Sequence, residues 1–295
     1  MEIKYIKHED IDKTKWNSCI HYANNGNIFG YKWFLDNTVK EWDALIEGDY
    51  ESVMPLPFEV NFWGQKRLVQ PAILRELGVF SIHSLSAKRI ATFFEHIPKV
   101  FKNREMRLNE QVKSPENQEF KVQKRYNHQL LLVPTYEELA NQFSRELLLQ
   151  LESTELNRLR PTNQLKPERI AAFYKANTTA NAEQDSYFHA IQRIMWNALH
   201  RGWGTASGVT NEQGDLLAVN FFIYSHGKVM SFCPAASKEG HSQGAMPYLF
   251  NTLLRSHAGR PMILDFNAQT PALATAFGAQ KNHFYHLRKK VGFLS

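Results

Sequence analysis

The residues best suited to chemistry lie in the last third of the chain. A short apolar run, PMILDFNA, ends on Asp265 and Asn267. Open α/β sheets bind ligands beyond the carboxyl ends of their strands, so a buried strand finishing on a carboxylate and an amide is a candidate site. There Asp265 can take a proton from a nucleophile or orient an incoming amine. The competing explanation is local: Asn267 or Thr270 caps a helix that opens at Pro271, a residue suited to the first helical position. We expect Thr270 to cap and Asp265 to face a cleft. Upstream, SKEGHSQGA sets Gly240, Gln243, Gly244 and Ala245 directly before a helical pattern. Backbone N–H groups in such a loop, with the helix N-terminus behind them, can receive a phosphate. The same glycines can serve a plain strand-to-helix connection.

Two more stretches carry polar side chains beside apolar strands. RLVQPAILRELGVFS holds Gln70, Arg75 and Glu76. Arg75 can grip a phosphate or carboxylate, or it can pair with Glu76. NHFYHLRKK places Tyr285 on a largely apolar strand face, where a tyrosine is either core or a proton donor. No histidine has a metal-binding spacing, so no metal is expected. Nucleophile-elbow and phosphate-loop motifs are also missing, which argues against serine hydrolases and kinases.

These residues need a frame of two units. A length of 295 residues suits about two domains. With 43% apolar and 22% charged residues the composition is that of a globular protein. No window approaches the roughly 18 apolar residues of a membrane span. The charged start, MEIKYIKHEDIDK, lacks an apolar signal region, and a cytoplasmic location is expected. Cys19 and Cys233 are far apart, with no disulfide or zinc spacing. A formal charge of +6 suits an anionic partner such as a nucleotide, CoA or RNA, and equally a plain basic surface.

The chain repeats itself. GDYESVMPLPFEVNFWGQKRLVQPA and GDLLAVNFFIYSHGKVMSFCPA both open with Gly-Asp, turn at a glycine (Gly64, Gly227) and close with Pro-Ala. A helical pattern follows each, SAKRIATFFEHIPKVF and QGAMPYLFNTLLRSHA. A short strand comes next, with Met106 opposite Met262 and Leu108 opposite Leu264. Each copy is preceded by helices. In the first, Asp10 or Asp12 caps DIDKTKWNSCIHYA. In the second, KRYNHQLLLV reads as a strand, and Thr135 with Glu138 forms a capping box for one long helix to about residue 156. Polar breaks at 109–123 and 158–168 are the linker candidates.

That element order resembles a GNAT-type N-acetyltransferase unit, and two such units in one chain resemble the FemAB-type acyltransferases. YNHQLLLVPTYEELANQFSRELLLQL is similar to the family's inter-unit strand and helix. GDLLAVNFFIY followed by ILDFNAQTPALATAFGAQ is similar to its closing region. DYESVMPLPF with QPAILRELGVFS is similar to the first-unit signature of members related to cellulose-biosynthesis acetyltransferases. The resemblance spans about residues 10–290.

It implies an α/β (α+β) fold of two GNAT-like units, 1–115 and 116–295, each a mixed, mostly antiparallel sheet flanked by helices. It implies an acyltransferase that moves an acetyl or aminoacyl group from a CoA thioester or aminoacyl donor to an amine or hydroxyl. The acceptor would be a small molecule or a peptide. Asp265 would be the base or amine orienter, and Tyr285 the proton donor to a leaving thiolate. Gly240, Gln243, Gly244 and Ala245 would hold the phosphates of acetyl-CoA or another acyl-CoA. Gln70, Arg75 and Asn267 would meet the acceptor. Two departures stand out. The glycines of SKEGHSQGA fall in imperfect register with the family's pyrophosphate loop. The expected basic helix is nearly bare, with Arg145 and Arg158, and Arg160 just beyond. The second departure disfavours a tRNA donor. An aminoacyl-tRNA-dependent ligase and a catalytically silent GNAT-like binding protein remain the rival readings.

Overall fold

The computed structural model describes residues 2–110, 112, 120–156, 158–178, 187–267 and 270–289. The expected domain boundary at 115/116 and most of the 109–123 linker lie outside them. Two compact units form: Met1–Tyr126 with His283–Ser295, and Asn127–Asn282.

In chain order, unit 1 contains β1 (Ile3–Ile6), α1 (Lys13–Tyr22), α2 (Lys32–Thr38), β2 (Glu41–Glu47), β3 (Ser52–Val60), β4 (Lys66–Leu68), β5 (Phe80–Ser81), α3 (Ala87–Glu95) and β6 (Phe101–Arg107). The boundary between units falls within β7 (Phe120–Leu131). Unit 2 continues with α4 (Tyr136–Ala140), α5 (Arg145–Leu156), β8 (Arg160–Thr162), α6 (Pro167–Asn177), α7 (Phe188–His200), β9 (Gly204–Thr210), β10 (Leu216–Ser225), β11 (Lys228–Ser231) and β12 (Ala235–Ala236). Then come α8 (Lys238–Ser242), α9 (Ala245–His257), β13 (Ile263–Asp265), α10 (Pro271–Ala276) and β14 (Gln280–Lys289), whose later part belongs to unit 1.

Unit 1 has the strand order β1-β2-β3-β4-β6-β14, antiparallel except for the parallel pair β4/β6. Its second strand is buried on both faces: every residue of β2 from Trp42 to Glu47 is buried, with the carboxylates of Asp43 and Glu47 paired to Lys66 and Arg89. Asp12, not Asp10, caps α1, accepting from Thr14 N and Lys15 N. Leu45, Met54, Phe93, Phe101, Leu108 and Leu287 meet in the core.

Unit 2 has the order β7-β13-β11-β10-β9-β8, again antiparallel except for one parallel pair, β11/β13. In each unit the parallel pair is joined by a helical crossover, and antiparallel strands form the rest of the sheet. The repeat seen in the sequence is therefore a repeat of topology. Phe222, Phe250, Leu264, Phe266 and Phe277 centre the second core, with Phe250 and Phe266 stacked at 4.9 Å.

Three local expectations are corrected. The long helix after Thr135 is two helices: the capping box with Glu138 starts α4, but the chain turns at 141–144, where Ser144 Oγ accepts from Leu147 N and opens α5. The helix after Ser86 stops at Glu95; Pro98 cannot extend it, and Phe101 already belongs to β6. Thr270 stands at the N-cap position before Pro271, yet its hydroxyl bonds nothing there.

Candidate functional site

The parallel ladder of β11 and β13 runs from Lys228–Ile263 to Met230–Asp265, and its pairing ends there. A buried amide explains the parting. Asn220 on β10 donates Nδ2 to Ser231 Oγ (2.9 Å) and accepts from Cys233 N (3.2 Å), drawing this segment toward β10. Phe232 N then bonds Phe221 O, and β12 continues along β10. Pro234 has no N–H with which to continue a ladder. Asp265 thus ends its strand where one neighbour has left and the other, β7, remains paired through Gln129.

The Asp265 carboxylate is 1% exposed and held by three N–H donors. Oδ1 accepts from Asn267 N (2.8 Å), and Oδ2 from Asn127 Nδ2 (3.2 Å) and Gln129 Nε2 (3.4 Å). Asn267 adopts φ +59°, a left-handed conformation that asparagine tolerates better than most residues. Its Nδ2 donates back across the seam to Ser231 O (3.4 Å). Asn267 is therefore a brace between the parted strands.

His128 lies between the two amides on β7 and is buried, with Nδ1 lacking a partner. Burial pushes its pKa below the ordinary value; the nearby Lys281 adds to this and Asp265 opposes it. The imidazole is held neutral near pH 7, with a nitrogen to spare. Asn127 Oδ1 is likewise buried and unpartnered. Buried polar atoms are nearly always bonded, so two orphans beside a buried carboxylate mark a place suited to function.

The carboxylate connects to open space through Gln129. A cavity of about 450 Å³ is lined by Gln129, Gln142, Gln280, Lys281 and Asn282, with Leu131 at its side. That volume lies in the range of small-molecule sites. Gln129 Oε1 accepts from Asn282 Nδ2 (3.4 Å) while its Nε2 holds Asp265. Asp265 therefore faces the cavity only by way of an amide.

The other anticipated residues are distributed as follows. Gly240 lies inside α8, its N–H donated to Ser237 Oγ (3.0 Å), and a Cβ there would come within 2.1 Å of Leu217 O. Its glycine is required by that close approach. Gln243 donates Nε2 to Glu239 Oε1. Gly244, at φ +71°, is the N-cap of α9 and offers no side-chain acceptor to the Ala245 and Met246 N–H groups, and Pro247 has no N–H to cap. A Cβ on Gly244 would press on Gln150 and Thr154 of α5, and Ala245 packs in the core.

In unit 1, Gln70 donates Nε2 to Leu74 O (2.6 Å) and accepts from Arg107 N (2.7 Å), bracing its own loop. Arg75 pairs with Glu76 at 2.8 Å and lies over the Phe29 ring. Tyr285 is also in unit 1, packed at the edge of its core with its ring against His283.

Asn127, His128 and Gln129 were absent from the anticipated set. One signal was available. NHQ is a run of three polar residues set directly before the apolar LLLV, where the strand passes from its exposed first half to its buried end.

No family model matches the sequence, and no curated protein matches it. Solved structures share its fold. FemX is 11% identical with a TM-score of 0.60, over 97% of each chain. L-PGS from Bacillus licheniformis is 11% identical with a TM-score of 0.58, over 96% of this chain and 93% of that one. A tandem GNAT protein from the clavulanic acid biosynthesis pathway is 10% identical with a TM-score of 0.52, over 98% of each. The fold is of the FemAB-like, tandem GNAT type.

Proposed function

We propose that the protein is an acyltransferase and that unit 2 carries its chemistry. It would move an acetyl or aminoacyl group from a thioester or ester donor to an amine or hydroxyl acceptor. The observation that carries this reading is the buried Asp265 carboxylate at the parting of β11 and β13, fixed by three N–H donors and linked through Gln129 to a cavity. Acyl transfer to an amine needs the nucleophile positioned and one proton removed. In this reading Asp265 fixes the amides that position the acceptor. Four amide side chains and Lys281 suit a peptide acceptor, with amide groups to match and a carboxylate to pair. The uncapped start of α9 is the place for a donor phosphate. Tyr285, Gln70 and Arg75 have no part in this account of unit 2.

One observation favours an aminoacyl-tRNA donor as the second reading. With the Gly240 N–H already taken by Ser237, the loop before α9 offers fewer donors than a CoA pyrophosphate would use. A thermal-shift scan against acetyl-CoA, longer acyl-CoAs, free CoA and bulk tRNA separates the two. A ligand at about 100 times its Kd stabilises the fold by about 2.7 kcal/mol. A shift with CoA species establishes the thioester donor. A shift with tRNA alone establishes the second reading, and none with either removes the donor site from α9.

A further inference from the structure

The hairpin joining β3 and β4 ends in two aromatic side chains that touch almost nothing. Phe62 is 97% exposed and Trp63 80% exposed. Large apolar side chains in this position lose free energy to water unless something covers them. Their rings lie edge to face at 6.2 Å, side by side at the tip.

Part of the backbone beneath them is bonded from within. Asn61 Oδ1 accepts from Trp63 N (3.1 Å) and Gln65 N (2.8 Å). Asn61 N donates to Gln65 O (3.0 Å) and Gly64 N to Asn61 O (2.9 Å). Asn61 Nδ2 donates to Gln65 Oε1. Gly64 takes φ +73°, which closes the turn without strain. The tip therefore asks for few hydrogen bonds from whatever covers it. A protein groove that binds a strand gains from main-chain pairing, which this tip does not offer. A lipid interface gives no such pairing and requires that polar backbone be satisfied internally.

The charges agree. No acidic or basic residue lies between Val60 and Gln65. Behind the tip stand Lys66, which pairs with Asp43, and exposed Arg67, opposite Glu59. Lys66 Nζ sits 4.0 Å over the Phe58 ring and 3.4 Å from Asp43, holding the strand base. A chain of net charge +6 is drawn to an anionic surface.

We propose that the β3–β4 hairpin is a membrane-surface anchor, with Phe62 and Trp63 entering the interfacial layer of an anionic bilayer. Tryptophan suits that layer because its ring is apolar and its N–H stays wet. The anchor is peripheral, and it stands whether or not the chain transfers acyl groups.

The test is sedimentation of the full chain with phosphatidylcholine vesicles, with and without phosphatidylserine. Brominated lipid serves as a quencher of tryptophan emission. Phe62 and Trp63 touch little, so Phe62→Ser and Trp63→Ser should keep the wild-type melting temperature. The expected result is binding to the anionic vesicles, quenching that disappears in Trp63→Ser, and a loss of partitioning on the order of tenfold for each substitution. Trp63→Phe should retain most of the binding. No binding by the wild type, or binding that the double variant leaves unchanged, overturns the proposal. So does a wild-type dimer in sedimentation velocity that the double variant converts to monomer, which would make a second copy the occupant.

Discussion

The two units build the same parallel pair across a helical crossover and finish it differently. In unit 1 the end of the pair is closed. Leu77 bridges Leu108 in parallel, Leu77 N bonds Arg107 O, and Asn109 N bonds Leu77 O. The residue after Leu108 is Asn109, whose side chain donates to Asn25 O. In unit 2 the pairing stops, and the residue after Leu264 is Asp265. The crossover helices differ in the same sense. Ser86 Oγ caps α3 by accepting from Arg89 N, whereas Gly244 leaves the start of α9 without a side-chain cap. One copy closes the end of its parallel pair and caps its crossover helix; in the other the pairing stops and the helix start has no side-chain cap. The frame is duplicated, and the way its ends are finished is not.

The strongest way to break this contrast is to exchange its two key residues. Asp265→Asn should lower acyl transfer on the order of a thousandfold, about 4 kcal/mol on the barrier, with the fold intact by circular dichroism. Asn109→Asp places a charge against the Asn25 carbonyl; it should cost about 3 kcal/mol in urea unfolding and create no activity. Activity gained by Asn109→Asp would mean that unit 1 is a second site. Next in size is Leu77→Ala. Opening the sealed seam should cost about 3 kcal/mol, and turnover per folded molecule should not change.

The smallest effect concerns one buried histidine in each unit, His128 and His286, both with pKa lowered chiefly by burial. A folded pKa below the ordinary 6.5 means that the unfolded chain binds the proton first. Stability should therefore fall as pH drops below about 6.5, by up to about 1.4 kcal/mol per pH unit for each group, and level off below the folded pKa. Glu105 opposes this for His286 through a 2.8 Å contact with Nε2, and Asp265 opposes it for His128; Arg107 and Arg288 add to it at His286, and Lys281 at His128. The fall in melting temperature from pH 7.5 to 5 should be shallower in His128→Gln and in His286→Gln than in the wild type. An unchanged slope in either variant would remove that histidine from the acid response.

What the sequence showed depended on how far apart the interacting residues are. Asp12, the Thr135–Glu138 box, the glycine turns and Pro271 are local signals, and each stands at the end or turn it marked. The repeat was legible because both copies preserve apolar spacing, down to Leu108 and Leu264. The break at 141–144 was not, because Asn-Gln-Phe-Ser is tolerated in a helix, and the turn is fixed by Ser144 N bonding Ala276 O far along the chain. Gly240 sits against the Leu217 carbonyl, a contact no local pattern records. At the site, Asp265 was legible as the end of a strand. Its partners Asn127 and Gln129 were not, because the pairing of β7 with β13 joins residues more than a hundred positions apart.

The boundary inside β14 bears on the order in which the chain matures. Unit 2 is one continuous segment that ends at Asn282. Unit 1 lacks Leu287, fully buried in its core, and the partner strand of β6 until the chain has run through the whole of unit 2. Domains usually fold on the ribosome from the N-terminus onward. Here the first-made unit must wait for the second, keeping an unpaired edge at β6 throughout synthesis.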